Sequence, residues 1–181
     1  AWIFTSATLG SDDDLTWFTE SAALEDARKL RVGSPFDYPA NARTWVPPRF
    51  PRPNEAGHPA AVGALAAKLA GRLGGRTFVL TTTLRVLPLI AESLTQAAQV
   101  QGIALQVLVQ GSHPKRSLLE RFLDTPGSVL IGSQSFWEGI DIRGSALQCV
   151  IIDKLPFPPP SDPLVQARSR ALERAGRDPF S

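Results

Sequence analysis

At 181 residues, the chain suits one domain with a sizeable core, and its 43% hydrophobic content holds no apolar run near the roughly 20 residues that span a membrane. A net charge of +2 is too small to argue for nucleic acid by itself, and the single Cys149 excludes an intrachain disulfide or a cysteine-held cluster within these residues. No basic stretch followed by an apolar one opens the sequence, so a cytoplasmic protein is the expectation.

The opening "AWIFTSATLG" lacks a methionine and reads as an apolar strand in a piece of a longer protein. Ser11, Asp12, Asp13 and Asp14 offer an N-cap and an acidic first turn to a short helix ending near Ala23. Residues 26–59 form an irregular proline-rich surface segment, with one short strand expected near Arg43 to Val46. Ala60 to Leu73 has leucines at helical spacing and is closed by Gly74-Gly75. "RTFVLTTT" follows as a buried strand, Leu84 to Gln99 as an amphipathic helix and "IALQVLVQG" as a strand. Lys115 to Leu123 is a helix, "SVLIGS" and "ALQCVIIDKLPF" are strands, and Asp162 to Arg174 is the last helix. Cys149, inside an apolar run, is expected to pack as a small buried hydrophobe. Proline-rich Pro156 to Pro160 reads as a rigid exit from the last strand.

Strands alternating with helices imply right-handed crossovers and an α/β class, with an open, mainly parallel sheet covered on both faces like those of nucleotide-binding proteins. Ligands of such sheets gather beyond the carboxyl ends of the strands. The polar clusters fall there: Thr81-Thr82-Thr83, Gln110-Gly111-Ser112, Ser133-Gln134-Ser135 and Asp153-Lys154. Arginine outnumbers lysine, with clusters at Arg43, Arg49 and Arg52 and at Arg168, Arg170, Arg174 and Arg177. Those forks suit phosphates, but a GC-rich genome would produce the same bias.

No G-x-x-x-x-G-K-[ST] loop and no G-x-G-x-x-G occurs, so these residues do not cradle a triphosphate alone. His58 and His113 are far apart beside prolines and read as exposed loop residues; no metal site is expected. The stretch "VLIGSQSFWEGIDIRG" is the most unusual. Gly139 between Glu138 and Asp141 permits positive φ or a close backbone approach. Asp141 suits a ribose hydroxyl pair, and Ser133 can donate its hydroxyl to a phosphate oxygen. Against this, Glu138 and Asp141 also suit a solvated turn. Phe136 and Trp137 either wedge the loop into the core or offer a ring to a base. Spacing alone leaves both questions open.

"FWEGIDIRGSALQCVIIDKLPFPPPSDPL", with "TSATL", "FVLTTTL", "VQGS" and "GSPFDY", resembles the second motor domain of the DinG/XPD-like superfamily 2 DNA helicases, within them the bacterial DinG and YoaA branch. The similarity covers nearly the whole chain in the family's order. It implies a RecA-like fold, and a DNA-stimulated ATPase that tracks along single-stranded DNA with 5′ to 3′ polarity. Thr5, Ser6, Ala7 and Thr8 match the motif that couples the ATP site to DNA at the junction of the motor domains. Thr81, Thr82 and Thr83 match a motif expected at the DNA or the interdomain face, Ser133 matches a position that usually contacts a DNA phosphate, and Gln110 and Gly111 are expected at the DNA. Glu138, Gly139 and Asp141 match the motif that closes on a nucleotide held by the other motor domain. Lys154 in "KLPF" is left between a pair with Asp153 and a phosphate contact.

The resemblance also implies what lies elsewhere. ATP and its Mg²⁺ would be held mainly by a first motor domain, which is the expected partner together with single-stranded DNA and repair or replication proteins. The family's four-cysteine 4Fe–4S cluster belongs to insertions of that first domain, so Cys149 is no ligand for it. The sequence ends before the family's arginine-finger motif, and this piece is expected to be catalytically silent alone. Two rivals stand beside the repair helicase. One is a non-catalytic interaction module that binds a protein through Pro47 to Pro53. The other is a motor with a fused exonuclease.

Overall fold

Short runs rich in β-branched and aromatic residues become strands wherever their backbones find partners. In the computed structural model, which describes residues 2–157 and 161–179, they form β1 (Thr77–Leu80), β2 (Gln106–Val109), β3 (Ser128–Gly132) and β4 (Cys149–Ile152). All pair in parallel in the order β2-β3-β1-β4, as the alternating pattern predicts. Helices are α1 (Thr16–Ser21), α2 (Tyr38–Asn41), α3 (His58–Leu73), α4 (Leu87–Val100), α5 (Lys115–Asp124) and α6 (Pro163–Arg174). The chain divides into two compact units, Ala1–Pro47 and Pro48–Ser181, and the sheet belongs to the second.

Two expectations fail in the first unit. The opening apolar run is not a strand: residues 2–6 have no regular structure, and Trp2 and Ile3 are exposed. Arg43 to Val46 is not a strand either. Both have the composition, but without a partner ladder an extended segment leaves its backbone to water. The first helix also starts later than Ser11 suggests, because Asp12 is the acceptor: its carboxylate takes the Thr16 amide at 3.0 Å and the Thr16 hydroxyl at 2.8 Å. Those donors hold the Asp12 pKa below the usual carboxylate value. An unforeseen turn of helix, α2, follows Asp37, which caps the Ala40 amide at 3.1 Å, with a proline in its first turn.

In the second unit the sheet is covered on both faces. Val79, Val129 and Ile131 meet α3 and α4 through Val62, Ala66, Ala67, Ala70, Leu87, Ile90 and Leu94. Burying a side chain such as Ile90 or Leu94 contributes about 1.5–3 kcal/mol. On the other face, Phe78, Leu80, Leu108 and Leu130 meet Leu118 and Phe122 of α5 and the ring of Phe136. Phe78 and Phe122 pack edge to face, 4.7 Å between centroids. β4 is an edge strand, so Cys149 is only half-buried rather than sealed in the core; burial still raises its thiol pKa. α6 buries no side chain among the described residues; Asp162 caps it by accepting from the Leu164 and Val165 amides. Of the expected proline-rich exit, Pro158 to Pro160 lie outside the described residues.

His58 corrects a further expectation. It is not an exposed loop residue but is 5% exposed in the first turn of α3, its ring edge-on to Phe50. Nδ1 lies 2.8 Å from the Pro51 carbonyl, which can only accept, so Nδ1 carries the proton and Nε2 is an acceptor in the neutral ring. Among the described residues Nε2 has no hydrogen-bond partner, and neither does buried Oδ1 of Asp153. Burial raises the Asp153 pKa, against the opposing effects of the Lys154 charge and of backbone donors.

These contacts make two predictions. A methyl group on Gly63 would sit 2.7 Å from the Ile90 carbonyl and 2.8 Å from the Leu94 amide, where α3 crosses α4. Gly63→Ala therefore destabilises the chain by about 1–3 kcal/mol in denaturant unfolding; an unchanged midpoint would mean that the crossing is loose. Asp153 has a folded-state pKa above its ordinary 3.8, so the native state holds its proton more tightly than the unfolded state does. Ionised Asp153 thus costs stability fully above the raised pKa and nothing below 3.8. Asp153→Asn removes the charge and keeps the size of the side chain. It raises the melting temperature at neutral pH, with the gain shrinking as pH falls towards 3.8, as thermal melts across pH would record.

Candidate functional site

Because the strands are parallel and in register, their carboxyl ends share one edge. The ladder continues past the apolar residues into the polar ones: the Thr81 amide donates to the Gly132 carbonyl at 2.8 Å, Asp153 to Leu80 at 3.1 Å, and Gln110 to Ile131 at 2.9 Å. The polar clusters singled out in sequence are therefore aligned along one edge by the backbone ladder.

Within this edge the side chains divide. Thr81 is fully buried, and its hydroxyl donates to the Thr83 carbonyl at 3.0 Å, so it shapes the turn and presents no group to solvent. Thr82 is half-buried and Thr83 exposed. Ser133, only 7% exposed, gives both its amide (2.6 Å) and its hydroxyl (2.9 Å) to Oε1 of Gln110. The Ser133 amide can only donate, which fixes the orientation of the Gln110 side chain: Oε1 meets Ser133, and the Nε2 donors remain for another partner. Gly111 is exposed with φ 96°, a backbone conformation that favours glycine. Lys154 forms no ion pair with Asp153 among the described residues, and its charge acts on that carboxyl only from a distance.

The stretch after β3 alternates between core and solvent. Phe136 is buried, its ring against Gly132, where a methyl group would meet it at 2.7 Å. Trp137 is half-buried and donates its indole N–H to the Thr81 carbonyl at 3.2 Å. Both aromatics are thus packing residues. Ile140 and Ile142 pack on the second core face, and this leaves Glu138, Gly139 and Asp141 exposed. Gly139 adopts φ 68°, the positive value its place suggests, with open space around it. Asp141 Oδ2 lies 3.3 Å from Nε of Arg143, an exposed pair of little energetic weight.

One residue at the site went unnoticed in sequence. Lys115, the first residue of α5, directs Nζ to the Ser135 carbonyl at 2.5 Å, the Glu138 carbonyl at 3.5 Å, and the face of Phe136, 5.4 Å from the ring centroid. Its only local signal is a cation in the first turn of a helix, where the helix dipole disfavours positive charge. Thr5, Ser6, Ala7 and Thr8 lie in the first unit, all exposed, with the Ser6 hydroxyl accepting the Thr8 amide at 3.2 Å. Among the described residues no cluster of His, Cys, Asp or Glu is arranged to hold a metal ion, and no helix is long and apolar enough to cross a membrane.

Comparison with known proteins matches residues 67–181 to the model of the helicase C-terminal domain. The chain is 39% identical to the ATP-dependent DNA helicase YoaA of Escherichia coli over 99% of its own length, and spans 28% of that protein. It is 35% identical to the ATP-dependent helicase DinG of Mycobacterium tuberculosis over 98% of its length, and spans 27% of it. Against the 3′-5′ exonuclease DinG of Bacillus subtilis, identity is 29% over 98% of the chain and 20% of the relative. A parallel α/β sheet with its polar residues gathered at one edge, matched over most of its length by one family, gives the conclusion: the chain belongs to the helicase C-terminal domain family, with its RecA-like fold.

Proposed function

We propose that the chain is the second motor domain of an ATP-dependent DNA helicase that tracks along single-stranded DNA, 5′ to 3′, in DNA repair. The observation that supports this reading is the gathering of exposed and half-exposed polar residues at the carboxyl edge of the parallel sheet. Thr82, Thr83, Gln110 and Gly111 form the surface assigned to DNA, and Glu138, Gly139 and Asp141 the one assigned to nucleotide. Ser133 and Thr81 belong behind the DNA surface, holding Gln110 and the Thr83 turn in place. Thr5 to Thr8 are assigned to coupling with the first motor domain.

On this reading the chain supplies half of a composite site. ATP and its Mg²⁺ are held mainly by the first motor domain, and the exposed carboxylates here close on the nucleotide from the opposite side. With one cysteine, the chain does not offer the four thiolates a 4Fe–4S cluster needs; any such cluster sits in another part of the protein. ATP that binds both domains draws them together, and hydrolysis releases them. DNA is gripped chiefly through phosphates, so binding is salt-dependent with little sequence preference.

The deciding experiment compares ATP hydrolysis by the full-length protein, with and without single-stranded DNA, for wild type and Asp141→Ala. DNA accelerates the wild type, and the folded variant loses the acceleration by about a hundredfold or more; residues 1–181 alone hydrolyse nothing. No stimulation in the wild type would sink the motor reading in favour of a non-catalytic interaction module. Gln110→Glu keeps the acceptor for Ser133 but replaces the amide donors with an anion. It weakens single-stranded DNA binding about tenfold at low salt, and the slope of affinity against salt becomes shallower. Unchanged affinity in a salt titration would remove Gln110 from the DNA surface.

A further inference from the structure

The loop that carries Glu138, Gly139 and Asp141 is held at its start, where residues 134–136 make one tight turn and the Trp137 indole binds the Thr81 carbonyl, but less so from Glu138 onward. Those three residues are exposed, Gly139 is in a left-handed conformation, and the Asp141–Arg143 pair faces water. From within the loop, Phe136, Trp137, Ile140 and Ile142 anchor it by packing, and the Trp137 indole adds its bond to Thr81. From outside it, among the described residues, Lys115 is the side chain that binds its carbonyls. Its ammonium meets those of Ser135 and Glu138 on either side of the aromatic pair and lies over the Phe136 ring.

Lys115 is also connected to the other half of the site. The segment leaving β2 begins with Gln110, bonded to Ser133, and ends with Lys115, bonded to Ser135 and Glu138. A short stretch of chain therefore grips the loop after β3 at both ends. The cation sits where the dipole of α5 opposes it, and the loop carbonyls and the aromatic face compensate it there.

We infer that Lys115 is a positioning residue: it sets the loop that meets the nucleotide and, with Gln110, ties that loop to the DNA-facing edge, so that the two surfaces move as one. This rests on the function proposed above. Lys115 touches neither the nucleotide nor the DNA; it acts through the backbone of residues 135–138.

The test uses the full-length protein with ATP and single-stranded DNA. Lys115→Met keeps the stem and removes the cation. It raises KM for ATP about tenfold and cuts DNA stimulation by a similar factor, while the melting temperature stays at the wild-type value. Lys115→Arg, which retains charge and donors, recovers both to within about threefold. A merely structural residue would lower the melting temperature and kcat without the shift in KM or its rescue. Should Lys115→Met fold poorly, Lys115→Gln is read in its place, with the same expected rise in KM. Wild-type KM and stimulation in the Met or Gln variant overturn the inference, as does an Arg variant no better than Met. Asp141→Ala in parallel separates the two claims. If it abolishes stimulated hydrolysis while Lys115→Met behaves as wild type, Lys115 alone is misassigned. If Asp141→Ala remains fully active, the nucleotide assignment falls, and the role of Lys115 falls with it.

Discussion

The sheet edge of the candidate site hangs on the parallel hydrogen-bond ladder between β1 and β3. These strands are buried on both faces, and their register, Thr77 beside Val129 through Leu80 beside Gly132, fixes where each strand ends. Because β2 and β4 join the same ladder in the same direction, all the carboxyl termini emerge together. The helices contribute mainly by covering the apolar faces, and a polar residue placed one step beyond each strand reaches the common edge without further instruction.

The loop after β3 solves a harder local problem. It must cover the second core face and also present carboxylates to solvent. Alternation achieves this, with Phe136, Trp137, Ile140 and Ile142 turned in and Glu138, Gly139 and Asp141 turned out. The packing is close at one point, where Gly132 leaves just enough space for the Phe136 ring. Core stability and the geometry of the proposed nucleotide surface are therefore coupled through the same few residues. On the proposed reading, such coupling suits a motor, because a shift of this loop is felt at once by β1 through the Trp137 bond to Thr81.

Much of this was legible in the residues themselves. Helices and strands of the second unit lie close to where periodicity and glycine stops placed them, since α3 ends at a left-handed Gly74 and β3 is a run of buried residues. The edge of polar clusters followed from topology. What misled were apolar segments without partners, Trp2 to Phe4 and Arg43 to Val46, whose strand-like composition had no ladder to join. His58 misled in the opposite direction: its neighbouring proline suggested a loop, but it lies at the start of a helix, against Phe50 and bonded to the Pro51 carbonyl.

The sequence by itself determined the α/β class, the strand ends that carry polar chemistry and, through its motifs, the helicase family. These depend on local periodicity and on residues adjacent in the chain. Only the tertiary structure decided which polar groups are free to meet a ligand. It turned Thr81 inward, spent the Ser133 hydroxyl on Gln110, and brought Lys115 across a gap of 20 residues to the Ser135 carbonyl. Hydrogen-bond commitments between distant residues leave no periodic trace in a sequence, because any donor of suitable reach satisfies a carbonyl once folding has brought it near.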